Sequence, residues 1–266
     1  MSGDAAPFAR EIRRIVLEQS HRARVGHIGS ALSIADIVAA LYSGILRGSS
    51  DDPDRDRFVL SKGHAGLALY AALHLTGRLS AEELETFCGD GTRLGVHPER
   101  DVPGIDFSTG SLGHGLSTAA GAALAARLQS SGRRVYCLIS DAECNEGSTW
   151  EAVMFAAHHR LGNLVAVVDV NGQQALGYTA DVLDLSPLAE RWRSFGWAAL
   201  EVDGHDPERL VELVTQLDFE IGKPHVLLAR TTFGRGVSFM KGRLEWHYWP
   251  MDDEQYRLAV EELESG

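Results

Sequence analysis

The sequence is poor in cysteine, short of basic charge and free of long apolar runs. Its 266 residues include three cysteines, Cys88, Cys137 and Cys144, with neither metal-ligand spacing nor a paired framework. That excludes a disulfide scaffold and a zinc ribbon, and it suits thiols kept in a reducing cytoplasm. Lys and Arg number 25 against 37 Asp and Glu, a net charge of −12. This balance argues against nucleic acid or an anionic membrane as the main partner. No stretch is long and apolar enough to span a bilayer, and no signal peptide is seen, so a soluble, cytoplasmic protein without a membrane partner is expected. Internal repeats, low-complexity tracts and linkers are also missing. Residues 1–266 are therefore expected to form a single α/β domain, and 44% hydrophobic content is enough for a substantial core.

What is present centres on residues 135–177. Val135-Tyr136-Cys137-Leu138-Ile139 reads as a buried parallel strand, with Asp141 just beyond its end. Ser148-Thr149-Trp150-Glu151 has capping-box spacing and predicts a helix start, with Gly162 placed to stop the helix. Leu164 to Val168 is a second buried strand, followed by Asp169-Val170-Asn171-Gly172. In a βαβ unit both strand ends meet the same sheet edge, where ligands bind. Asp141, Asn171 and the Gln173 carbonyl could then form an oxygen-only set suited to magnesium or calcium. Asp and Asn after strands also serve as caps and turn formers, so spacing alone leaves both readings open.

Elsewhere, strands alternate with helices, as in a doubly wound, mainly parallel sheet with helices on both faces. Phe8, Ile12 and Ile15 mark an amphipathic first helix whose Arg10, Arg13 and Arg14 read as a solvated face. Ser33 and Asp36 resemble a capping box for a helix over Ile34 to Leu46, and Asp51 to Arg57 reads as a solvated charged turn. Arg57 to Leu60 is a strand running into Ser61-Lys62-Gly63-His64, where helix N–H groups and an imidazole can face an anion; Lys62 itself reads as a surface charge. Ser80 caps a helix, and an Ala- and Gly-rich helix spans Leu116 to Leu128. Pro187, at the first position of a helix, and Asp206-Pro207 open two more helices. Trp197 to Val202 and His225 to Ala229 are the last strands. His158 and His159 read as helix surface, and His205 and His225 as structural.

The stretch from Ser140 to Asn171 resembles the thiamine-diphosphate motif, which reads Gly-Asp-Gly and then, about thirty residues on, Asn. Gly26-His27-Ile28-Gly29, Ser61-Lys62-Gly63-His64, Val96-His97-Pro98-Glu99, Ser108 to Gly115, Glu146-Gly147 with Trp150-Glu151-Ala152, and Trp246-His247 follow the order of the transketolase diphosphate-binding domain. The chain is most similar to the version encoded as a separate subunit. The resemblance implies thiamine diphosphate and a divalent metal (Mg2+, or Ca2+ or Mn2+) held by Asp141, Asn171 and the Gln173 carbonyl. It implies that His64 and His247 lie near the diphosphate and reacting centre, and that His27 and His97 meet the sugar hydroxyls or assist proton transfer. Gly110, Ser111 and Leu112 would lie along the cofactor near the aminopyrimidine. Ala142, Glu143 and Glu146 would border it, and Glu146 and Glu151 match acids that link paired active sites. Ser140 and Ala142 replace both motif glycines. If Ala142 must take positive φ, a local cost of about 1 kcal/mol follows, and binding should be weakened or tightly constrained. His114 stands where many single-chain relatives carry Gln, and Tyr248 replaces a common Gly.

The same resemblance implies a missing half. The glutamate that activates the aminopyrimidine belongs to a second domain, and neither that domain nor the C-terminal one fits in 266 residues. A partner subunit carrying the pyrimidine-binding and C-terminal domains is expected, in an α2β2 assembly. The pair would transfer a two-carbon ketol unit from a ketose (phosphate) donor to an aldose acceptor. Histidines titrating near neutrality would suit the proton moves. Two alternatives are a related enzyme of a specialised sugar or secondary-metabolite pathway, and a degenerate scaffold subunit without cofactor.

Overall fold

The computed structural model describes residues 5–265. Within them, seven strands and eleven α-helices follow in chain order: α1 (Ala5–Ala23), α2 (Ile28–Ser33), α3 (Ala35–Ala40), β1 (Arg57–Leu60), α4 (Gly66–Leu75), α5 (Ala81–Leu84), α6 (Gly115–Leu128), β2 (Val135–Ser140), α7 (Gly147–His158), β3 (Leu164–Val170), β4 (Gln173–Gln174), β5 (Gly177–Tyr178), α8 (Thr179–Val182), α9 (Leu188–Ser194), β6 (Ala198–Asp203), α10 (Pro207–Gln216), β7 (His225–Arg230) and α11 (Asp253–Ser265). Five strands form a parallel sheet in the order β1-β2-β3-β7-β6, and β4 and β5 form a small hairpin.

The central strands are buried on both faces, which is why β2 and β3 read as continuous apolar runs. Alternate side chains supply two cores. Phe58, Leu60, Tyr136, Leu138, Val165 and Val167 pack against the layer of α1, α3 and α4. Val59, Cys137, Ile139, Ala166 and Val168 pack against α6, α7 and α9. Ala119, Ala120, Ala123 and Ala126 are small enough to bring α6 close to β2 and α7. The three cysteines are free thiols. Among the described residues no helix is long and apolar enough to cross a membrane.

Several local expectations are corrected. Ile34 to Leu46 is not one helix: α2 ends at Ser33, α3 covers Ala35–Ala40, and a π-helical turn takes Leu41–Ile45. Asp36 does not cap. It is buried and accepts from Arg13 Nη1 at 3.1 Å and from His205 Nδ1 at 2.7 Å. Arg13 therefore belongs to a buried ion pair and not to a solvated face, whereas Arg10 and Arg14 are exposed. In the 51–57 turn, Asp56 is buried and paired with Arg47 at 2.8 Å. Ser148 does not cap α7, because its hydroxyl donates to the Gly113 carbonyl at 3.0 Å and Glu146 is the N-cap residue. The left-handed residue after α7 is Arg160, at φ 52°; Gly162 instead lets Phe219 approach, since a Cβ there would meet its carbonyl at 2.5 Å. Pro187 is the N-cap of α9, one position before the helix. The capping box at Ser80 and the Asp206 cap form as expected.

Candidate active site

A cleft of about 330 Å3 lies outside the carboxyl ends of β1, β2 and β3. Its walls include His27, His64, His97 and His247, together with Lys62, Gly110, Leu112, Ala142, Glu146, Asn171, Gln173 and Tyr248. Segments from seven parts of the sequence meet here, which brings the Gly-His motifs beside the β2 and β3 ends.

The floor is charged. Lys62 is fully buried and donates to Asp169 Oδ2 at 2.5 Å, which corrects its reading as a surface charge. Asp169 also accepts from Ser33 Oγ at 2.6 Å, from Asn171 Nδ2 at 2.8 Å and from the Thr231 hydroxyl. Burial alone pushes this carboxyl up, but Lys62 and the hydroxyls more than offset it and hold it below its usual value. Sequence reasoning missed this pair. The available signal was an aspartate inside an otherwise apolar strand.

Asp169 anchors the amide nitrogen of Asn171, which leaves Asn171 Oδ1 to accept from the Gln173 N–H at 2.9 Å. Asp141 lies across from it, bound to the same turn: its Oδ2 accepts from the Gly172 N–H at 2.8 Å, and its Oδ1 from the Ala142 N–H at 2.8 Å. Burial and then the negative charge of Asp169 push the Asp141 carboxyl up to about 7, only partly opposed by those two N–H groups. A buried carboxyl destabilised as an anion, beside an amide oxygen, fits a hard divalent cation. Among the described residues no three His, Cys, Asp or Glu side chains form a metal cluster, so a cation here relies on amide and carbonyl oxygens. Ala142 is not strained: it lies in a short 3-10 turn, Ala142–Asn145, at ordinary φ. The anticipated cost of replacing the motif glycine is therefore absent.

Three imidazoles crowd one wall. Ring centroids of His27 and His64 are 5.4 Å apart, of His64 and His247 5.7 Å, and of His27 and His247 5.9 Å. His247 stacks on Phe233, and His64 Nε2 meets Ser30 Oγ at 2.9 Å. Burial, and then Lys62, drive His64 well below its usual range and His247 to about 4; burial, then His97 and Lys62, lower His27. The expectation of titration near neutrality is thus corrected for these three in the free protein: they are neutral rings. Nδ1 of His27 and of His247 are buried without a partner.

Other expected residues divide. Gly110 and Leu112 line the cleft, while Ser111 is exposed beside it. Glu143 is fully buried beneath the wall and does not line it. It accepts from the Gly113 N–H at 2.8 Å and from the Ser61 hydroxyl, so it ties the loop before α6 to the end of β1. Glu151 is exposed on α7, away from the cleft lining. His158 is exposed and His159 part-exposed at the end of α7. His205 joins Asp36 to the Thr232 N–H, as a structural histidine should.

The family model for the transketolase thiamine diphosphate binding domain matches residues 5–264. The chain is 43% identical over 260 residues to a 6-deoxy-6-sulfo-D-fructose transketolase subunit of Clostridium sp. (strain MSTE9), covering 96% of this chain and 94% of that protein. It is 41% identical over 254 residues to an apulose-4-phosphate transketolase subunit of Phocaeicola vulgatus, covering 94% and 90%. The solved transketolase from Leishmania mexicana superposes with a TM-score of 0.92 at 30% identity, covering 99% of this chain but 42% of that one. The chain thus spans less than half the length of that single-chain enzyme.

Proposed function

The chain belongs to the transketolase thiamine-diphosphate-binding family, and we propose that it is the N-terminal subunit of a two-chain transketolase that works in the cytoplasm. On this reading residues 1–266 act as one diphosphate-binding domain. A C-terminal partner supplies the catalytic glutamate and the second wall of the cleft, and two copies of each chain assemble as α2β2. The observation that carries the reading is the meeting of four histidines with Asn171 and Gln173 in one cleft, above the buried Asp141.

Asp141, Asn171 Oδ1 and the Gln173 carbonyl would hold a divalent ion such as magnesium, which would neutralise the charge of the cofactor's diphosphate. Thiamine diphosphate, when bound, supplies the nucleophilic carbon that breaks and makes carbon–carbon bonds. Lys62 adds a fixed positive charge beneath the anion. His64 and His247, neutral in the free protein, would take up protons more readily beside an anionic diphosphate, whose charge would offset the burial that depresses them. His27 and His97 bind the hydroxyls of the sugar and move protons to and from its oxygens. Gly110 and Leu112, which line the cleft, would border the aminopyrimidine, with Ser111 flanking. Glu146, exposed at the rim, faces the partner.

A specialised donor or acceptor is the second reading. It is favoured by relatives whose names carry a sulfonated ketose and apulose 4-phosphate, and by Tyr248 at the cleft mouth. The test is calorimetry of thiamine diphosphate with and without magnesium on the co-purified two-chain complex, followed by donor and acceptor screening. Magnesium-dependent binding with ketol transfer is expected. Turnover only on an unusual ketose selects the second reading. Absence of metal-dependent binding overturns both and leaves a scaffold.

A further inference from the structure

The opposite edge of the sheet holds a second concave feature. A cavity of about 470 Å3 is lined by Arg47, Arg127, Arg133, Arg134 and Arg160, and Glu220 is the one acidic residue in the lining. Arg47 is neutralised by Asp56, to which its guanidinium donates at 2.8 and 2.9 Å. The other four have no carboxylate partner within 4.0 Å among the described residues. Gathering cations in a protein of net charge −12 runs against its average electrostatics.

Helix ends explain only part of this. Arg127 donates to the carbonyls of His159 and Arg160 after α7, and Arg133 donates to the Pro53 carbonyl at 3.1 Å. A helix C-terminus carries about half a negative charge. The ends of α6 and α7 together with Glu220 therefore offset about two of the four unit charges. The Arg134 guanidinium lies over the Phe219 ring, 3.5 Å from its centroid, which holds the cation at the cavity wall. Two glycines close the loops around it. Gly162 admits the Phe219 carbonyl where a Cβ would stand 2.5 Å away, and Gly222, at φ 65°, turns the loop beside Arg160.

From this we propose that the amino-end edge of the sheet is an anion site for a compact molecule carrying several phosphate groups. Planar guanidinium forks match phosphate oxygens two at a time, and a concave wall favours a small polyanion over an extended acidic surface. The site is separate from the cleft. Arg133 and Arg134 precede β2, and Asp141 follows it, so the two lie about 20 Å apart at ~3.3 Å per strand residue. One molecule of this size cannot span both.

Calorimetry of inorganic triphosphate with the metal-free full chain tests the proposal. Saturable binding is expected to weaken at least tenfold in Arg134→Gln/Arg160→Gln and to stay within twofold in the cleft variant His64→Ala. Arg160→Gln alone, on an exposed side chain, should weaken it about threefold with unchanged circular dichroism, so a folding defect in the double variant cannot hide the answer. Loss of binding in His64→Ala with retention in the arginine variants would locate the anion in the cleft and overturn the proposal. Absence of saturable binding would do the same.

Discussion

Lys62 and Asp169 show how a single pair can set up a site beneath the groups that meet the ligand. Both side chains are fully buried, and among the described residues Asp169 has Ser33, Asn171 and Thr231 as its further side-chain donors. Removing one member leaves the other charged and buried, at a cost of about 3–5 kcal/mol. Lys62→Met should therefore lower the thermal midpoint markedly, whereas Lys62→Met/Asp169→Asn should recover much of that loss. The double variant should still bind thiamine diphosphate more than tenfold more weakly, because an amide at 169 offers one acceptor oxygen where the carboxylate offered two to Ser33, Asn171 and Thr231, and the Lys62 charge is gone. Recovery of stability and binding together would reject the positioning role. Asp141 makes a pH-dependent prediction. Its carboxyl titrates near 7 in the metal-free protein, so a divalent cation must displace a proton below that pH. Apparent magnesium affinity should rise about tenfold per pH unit up to roughly 7 and level off above it. Calorimetry in buffers of different ionisation enthalpy should detect proton release at pH 6 and little at pH 8. Asp141, Asn171 and the four histidines were readable because each ends a recognisable strand or sits in a Gly-His loop or a similar short motif. Lys62 was not, since a lysine between a serine and a glycine has no periodicity to mark it as buried.

At the scale of elements, the strands were legible and the helix starts less so. β2 and β3 match their apolar runs nearly residue for residue, because burial on both faces leaves a continuous signal. The stretch from Ile34 to Leu46 misled, because the Ser and Asp expected to cap it are used by tertiary partners: Ser33 serves Asp169 and Asp36 serves Arg13 and His205, so neither is free to cap. Ser148 went the same way, to the Gly113 carbonyl. Short polar residues signal a cap only when nothing distant claims them. The junction of α6 with β1 yields a prediction of its own. A Cβ on Gly115 would lie 2.2 Å from Ser61 Oγ and 2.7 Å from its Cα, and Gly115 N–H donates to that hydroxyl at 3.0 Å. Gly115→Ala should cost about 1–3 kcal/mol by overpacking and should displace the Gly110–Leu112 loop relative to His64. Denaturant unfolding checks the first effect. A raised dissociation constant for thiamine diphosphate, with magnesium affinity nearly unchanged, checks the second.

For the whole molecule, large apolar side chains stand exposed at the mouth of the cleft. Leu176 is 80% exposed, Trp249 62% and Tyr248 58%. Leu176 and Tyr248 line the cleft, and Trp249 is the next residue along. Leaving such side chains in water forgoes roughly 1.5–3 kcal/mol each relative to full burial. A partner wall that closes the cleft would also dry it, strengthening the hold of Lys62 and the imidazoles on an anion. Closure and cofactor binding should then be coupled in both directions. Leu176→Ser/Trp249→Ser should weaken association with the proposed C-terminal partner at least tenfold, measured by analytical ultracentrifugation. The isolated chain's magnesium-dependent affinity for thiamine diphosphate should stay within about twofold, because neither residue bonds to Asp141 or Asn171. Addition of cofactor and magnesium should tighten association of the unmodified chains by the same factor that the partner tightens cofactor binding. Unequal factors, or an association indifferent to both substitutions, would mean that this mouth is not where the second wall docks.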